Sequence, residues 1–219
     1  MKEFRFYTPE TPEDFRFIEE DGKSYITGYA SRYNQKSKLL TEKGKSFFEI
    51  IQRGAFREVL QKNFDVIANL NHDRTKLLSR IKSGTLTLSE DENGLLYRFE
   101  VPNVSYALDA LALIKRGDIF ESSFAFSVNE NDQIFTKDES GLPLRTITNI
   151  SRLYDVAIVI DGAYANTSIT ARGLEEFEES ELRHQEEEKQ KNENDIYRKN
   201  LEKAILEDRA TRLYLKYKY

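Results

Sequence analysis

The chain has 219 residues, no Cys, no Trp and only two His, His72 and His184. That composition excludes a thiol nucleophile, a disulfide framework and Cys-based zinc or iron–sulfur sites, and two imidazoles are too few for a His-rich zinc site. A net charge of −5, with 39% apolar and 32% charged residues, describes a globular protein without the basic face that nonspecific nucleic-acid binding needs; no segment approaches the ~20 apolar residues of a membrane span.

The opening MKEFRFYTPETPEDF has no unbroken apolar run and does not read as a signal peptide, so synthesis inside a cell is expected. Residues 25–33 read as a strand, 34–46 as a polar, Lys-rich loop and 47–51 as a short strand. Gly54-Ala55-Phe56 opens a short helix with Phe56, Val59 and Leu60 on one face. Residues 66–70 form a strand that runs into Asn71-His72-Asp73. Residues 85–88 and 95–101 form a hairpin around Glu92-Asn93-Gly94.

The clearest helix follows. Asn103 or Ser105 is placed to cap it, Ala107, Leu108, Leu111, Ala112 and Ile114 make its buried stripe, and Gly117 stops it after Lys115 and Arg116. Residues 119–128 read as a strand, 129–147 as a polar hairpin, and 153–160 as a last strand apolar enough for burial on both faces. This pattern predicts an α+β fold, a mostly antiparallel β-barrel flanked by a few helices, over residues 1–173. The composition then changes: residues 174–219 carry 13 acidic and 10 basic residues in 46 positions, too charged for a core of their own. They predict a charged helical tail that turns amphipathic from Ile196, with Tyr197, Leu201, Ala204, Ile205 and Leu213 spaced for a docking face.

Few residues carry chemistry. His72 ends an apolar strand, where a side chain is both positioned and accessible, and alternation puts it with Val66, Ala68 and Leu70. His184 sits in a charged run and reads as solvated. In the strand that follows the helix, Phe120, Ser122, Phe124, Phe126 and Val128 share the core face, while Glu121, Ser123, Ala125 and Ser127 share a small, polar one. The small face leaves room for a substrate beside it, so Ser123 is the better nucleophile candidate. A serine needs a base, and the base an orienting group. Asp155, an acid at the start of an apolar strand, suits that third role if it is paired; Asp73 and Asp118 are weaker candidates.

The order Gly54-Ala55-Phe56, Asn71-His72-Asp73, Asn93-Gly94-Leu95, Arg116-Gly117-Asp118-Ile119, Ser123-Phe124-Ala125-Phe126, Asp155-Val156-Ala157-Ile158-Val159, then Ala163-Tyr164, Thr167 and Arg172 resembles the prohead proteases of tailed bacteriophages over residues 22–173. The resemblance implies His72 as catalytic histidine, Ser123 as nucleophile and Asp155 where such sequences usually carry Glu. Ala125 replaces a usual Gly, and Asp161-Gly162-Ala163-Tyr164 lacks a usual Pro. The family is distantly similar to herpesvirus maturational proteases, whose β-barrel is wrapped by helices. The resemblance further implies a serine endopeptidase, without metal or organic cofactor, that cleaves scaffold or capsid-protein segments inside an immature shell in the host cytoplasm and then cleaves itself. The expected partners are the major capsid protein and its scaffolding segment, with neither nucleic acid nor membrane, and homo-oligomerisation is left open. The alternative is a non-catalytic assembly factor docking through residues 196–215.

Overall fold

The computed structural model describes residues 2–11, 14–42, 44–62, 64–160 and 170–217, with backbone alone for 170–173 and 200–217. In chain order the strands are β1 (Glu3–Tyr7), β2 (Phe15–Glu20), β3 (Lys23–Arg32), β4 (Leu40–Glu42) and β5 (Lys45–Ile51); after helix α1 (Arg57–Gln61) come β6 (Ile67–Leu70), β7 (Asp73–Arg80), β8 (Leu86–Glu90) and β9 (Gly94–Glu100). Helix α2 (Ser105–Arg116) precedes β10 (Glu121–Ser127), β11 (Gln133–Lys137), β12 (Pro143–Ile147) and β13 (Arg152–Val159), and α3 (Thr170–Tyr217) ends the chain.

The strands form three open sheets, ordered β1-β10-β13-β6-β7, β11-β12-β5-β4 and β2-β3-β9-β8. The expected barrel is therefore corrected. Closure requires the two edge strands of one sheet to exchange hydrogen bonds, and among the described residues β1 and β7 do not pair. The α+β class stands. Pairing is mostly antiparallel, with parallel contacts where β13 meets β6 and β12 meets β5. Those two crossovers set strands distant in sequence side by side.

Local chemistry accounts for the elements. The β8–β9 hairpin turns at Asp91, whose Oδ1 accepts the backbone N–H groups of Asn93 (2.7 Å) and Gly94 (3.0 Å). Gly94 is required there, because a Cβ would lie 2.0 Å from the Ser31 carbonyl oxygen of the adjacent strand. Helix α2 stops at Gly117, whose φ of 91° is left-handed. Its N-cap is Val104, without a side-chain cap, rather than Asn103 or Ser105. It buries Ala107, Ala110, Leu111 and Ile114; Leu108 and Ala112 are exposed, because the stripe follows a 107, 110, 111, 114 spacing. Residues 34–46, expected as loop, contain β4 and the start of β5. Phe120, expected in the core, is 48% exposed because β10 starts after it.

Two compact units result, Met1–Gly173 and Leu174–Tyr219. The core belongs to the first, built around Phe47, Phe56, Tyr97, Phe99, Phe124, Phe126, Leu153 and Ile158. The second lies within α3, whose residues 175–199 are mostly exposed, including Ile196 and Tyr197. The side chains of Leu201, Ala204, Ile205 and Leu213 lie outside the described residues, as do Ala163, Tyr164, Thr167 and the side chain of Arg172.

An ionic quartet is buried between the first two sheets. Glu3 and Arg5 project from β1 toward Glu49 of β5 and Arg145 of β12, which are register partners in their own sheet. Arg5 donates to both Glu49 oxygens (2.6 and 2.7 Å) and to Glu3 (2.9 Å). Arg145 donates to both Glu3 oxygens (2.6 and 3.0 Å), to Glu49 (2.7 Å) and to Gln133 (2.7 Å). Burial pushes the Glu3 carboxyl up, but the hydrogen bond and charge of Arg145, with the charge of Arg5, more than offset it and hold Glu3 below the usual carboxylate range. Breaking such a pair strands a charge in the interior. Arg145→Met is expected to destabilise the protein by about 3–5 kcal/mol in urea unfolding; a loss below about 1 kcal/mol would show that the quartet does not tie the sheets together.

Candidate active site

The sheet register brings the site together. Across β1, β10, β13 and β6, one row of neighbours is Phe6, Ser123, Ala157 and Asn69, and the next is Phe4, Ala125, Asp155 and Ile67. Cross-strand neighbours share a face, so Ser123 and Asp155 lie diagonally on the same face of adjacent strands. The quartet occupies the opposite face of β1. Ser122 points the other way from Ser123 and exchanges a 2.8 Å hydrogen bond with the buried Tyr97 hydroxyl.

His72 reaches this face by a turn. Leu70 pairs with Asp73, leaving Asn71-His72 as a two-residue hairpin loop with φ of 55° and 58°. These are the signs a type I′ turn requires, and Asn is favoured at its first position. Strand alternation therefore ends at Leu70, and His72 does not continue the face of Ala68 and Leu70 as expected from its spacing. Holding a histidine in the left-handed region costs about 1–3 kcal/mol. The hairpin is pinned to β13, since the Asn71 N–H donates to the Ile158 carbonyl (2.9 Å) and Asn71 Oδ1 accepts the Ile160 N–H (3.0 Å).

The three sequence-selected side chains meet. His72 Nδ1 lies 2.5 Å from Asp155 Oδ1, and His72 Nε2 lies 2.6 Å from Ser123 Oγ. Asp155 is not at the start of its strand but near its middle, and it is 1% exposed. Burial pushes its carboxyl up, yet hydrogen bonds from His72 and Lys2, with their charges, more than offset this and hold it below the usual carboxylate range. Ser123 was expected beside open space and is fully buried instead. Its face is covered because β1 extends the sheet beyond β10 and the His72 ring lies against it. Phe4 and Phe6 approach that ring edge-on, with centroids 4.6 and 6.4 Å away.

Strand β1 and Lys2, the residue before it, contribute what the sequence reading missed. The Ser123 hydroxyl lies 2.9 Å from the Arg5 carbonyl oxygen, and Lys2 Nζ lies 2.8 Å from Asp155 Oδ2. The serine has one proton for two acceptors. With a neutral imidazole whose Nδ1–H donates to Asp155, the Ser123 O–H donates to Nε2. With an imidazolium, Nε2–H donates to Oγ and the hydroxyl donates to the Arg5 carbonyl. The arrangement is thus suited to move a proton between a hydroxyl and an imidazole backed by a carboxylate. The only signal for β1 was the alternation Glu3-Phe4-Arg5-Phe6-Tyr7, misleading because the charged residues face inward. The weaker acid candidates turn elsewhere: Asp73 accepts from Thr75, and Asp118 pairs with Arg116. His184 is exposed in α3, 3.8 Å from Glu187.

A family model described as caudovirus prohead serine protease matches residues 13–180. Among solved structures, the bacteriophage T4 capsid assembly protease is similar at 13% identity, with a TM-score of 0.39, over 71% of this chain and 96% of that one. No curated protein sequence matches.

The low pKa of Asp155 links protonation to folding. The unfolded carboxylate binds its proton at higher pH than the folded one, so this stabilisation is present above the ordinary carboxylate pKa and lost as pH falls through the depressed value. Urea unfolding of wild type and Asp155→Asn across acid pH is expected to show a stability difference that shrinks as pH falls through that window. A pH-independent difference would refute the linkage.

Proposed function

This chain belongs to the caudovirus prohead serine protease family, and on that premise we propose that it is a serine endopeptidase in which Ser123 is the nucleophile, His72 the general base and Asp155 the orienting acid. The observation that carries this reading is the unbroken hydrogen-bond path from Ser123 Oγ through both His72 nitrogens to Asp155.

The neutral His72 accepts the Ser123 proton at Nε2 as Oγ forms a bond to the scissile carbonyl carbon. The ionised Asp155 holds the Nδ1–H and stabilises the imidazolium that results. That imidazolium then donates its proton to the leaving amine as the C–N bond breaks. Water, deprotonated by His72, adds to the acyl-enzyme, and its collapse returns the proton to Ser123 Oγ. Asp has one methylene fewer than Glu, and the 2.5 Å contact supports its fitness for the role because the hairpin brings His72 to it. No metal or organic cofactor enters these steps.

The proposed substrates are scaffold or capsid-protein segments, cleaved within the immature phage shell in the host cell, with self-cleavage of this chain as a second reaction; membership of a prohead protease family supports this reading. The exposed edge of the site is the His72 ring, whose side chain keeps 13% exposure, so a peptide approaches from that side.

Co-expression with the cognate capsid protein, read by intact-mass spectrometry, tests the assignment. Ser123→Ala and His72→Ala are each expected to lower cleavage of capsid protein and of the chain itself by at least about a thousandfold. Undiminished cleavage by Ser123→Ala would sink it.

A further inference from the structure

Lys2, the residue before β1, lies outside the family-matched residues 13–180, yet it places an ammonium on the proposed acid. Resting on the peptidase reading above, we propose that Lys2 is a positioning residue of this site, holding the Asp155 carboxylate in register with His72 and setting the pH at which the histidine can act as base.

The geometry divides one carboxylate between two donors. Asp155 Oδ1 takes His72 Nδ1 at 2.5 Å, and Oδ2 takes Lys2 Nζ at 2.8 Å. With both oxygens engaged, the carboxylate cannot rotate about its terminal bond without giving up one partner. Lys2 is itself held, its ammonium 4.9 Å from the Phe4 ring centroid and 5.3 Å from that of Tyr154. It is 31% exposed against 1% for Asp155, so it caps the acid from the solvent side. It touches neither Ser123 nor the imidazole and acts only through Asp155.

Its charge has a definite sign of effect. A cation on the far oxygen of Asp155 offsets part of the negative charge that favours imidazolium, and so keeps His72 available as a base to lower pH. Among the described residues, the charged groups facing this cluster are few. Asp155 faces His72 and Lys2. Arg152 of β13 lies 4.9 Å from the Tyr154 ring, near Lys2, and Asp73, beside His72, is turned toward Thr75 and Lys76.

Diisopropyl fluorophosphate reports the chemistry without a known cleavage site: the Oγ–P bond forms, fluoride leaves, and the serine proton goes to His72. Its rate of reaction with the full-length chain is measured across pH, with labelling at Ser123 checked by mass spectrometry. Lys2→Met and Lys2→Gln are each expected to move the acid limb up by about half a pH unit and to slow the reaction about threefold below it; Lys2→Arg restores the wild-type profile. Superimposable Lys2→Met and wild-type profiles, or no recovery in Lys2→Arg, overturn the proposal while leaving the peptidase reading intact. A wild-type chain that is not labelled at Ser123 overturns both.

Discussion

Glu3, Arg5, Glu49 and Arg145 neutralise one another in the interior between two sheets, and the placement of the site depends on them. Such a quartet is expensive to desolvate, and its attraction repays that only when every donor finds an oxygen. Here both acids receive both arginines, and Gln133 takes the remaining Arg145 Nε–H. The consequence is geometric. An edge strand of five residues, held on one side by backbone pairing alone, would fray; β1 is also held from its inward face. The backbone carbonyl of Arg5 thereby meets the Ser123 hydroxyl, and Lys2 meets Asp155. The two faces of β1 divide the work between anchoring and chemistry.

The His72 hairpin is the second constraint. Three strands that are far apart in sequence must converge to about a hydrogen-bond length, and side-chain flexibility alone would spread that distance. A two-residue turn leaves no slack. Its left-handed backbone is strained, and Asn71 holds it through one backbone and one side-chain hydrogen bond to the β13 end. The strand that carries the acid therefore also anchors the base.

Much of this was legible in the residues. Gly117 after Lys115-Arg116 marked the end of α2, the Glu92-Asn93-Gly94 turn marked a hairpin, and the uninterrupted Val156–Ile160 run marked a strand buried on both faces, except that Ile160 lies past its end and is 58% exposed. His72, Ser123 and Asp155 stood out because chemistry-bearing residues interrupt otherwise apolar strands. Part of what was illegible has one cause, that patterning assumes charges face water. It hid β1, whose Glu3 and Arg5 face inward while Phe4 and Phe6 flank the site. It also suggested open space beside Ser123, which is fully buried. Strand β7 was hidden differently: its register shifts against β6 break the alternation. Sheet closure is a property of edge pairing over long sequence separations, which local periodicity does not encode.

The order β1-β10-β13-β6-β7 sets a schedule as well as a shape. Strand β13, which carries Asp155, is the last of the 13 strands among the described residues to be synthesised, yet it lies between the strand of Ser123 and the hairpin of His72. Until β13 is inserted, the segments bearing nucleophile and base have no common sheet. A nascent chain thus emerges with Ser123 and His72 separated, and their juxtaposition arrives in one late, long-range step. On the proposed peptidase reading, the topology itself delays the first cut.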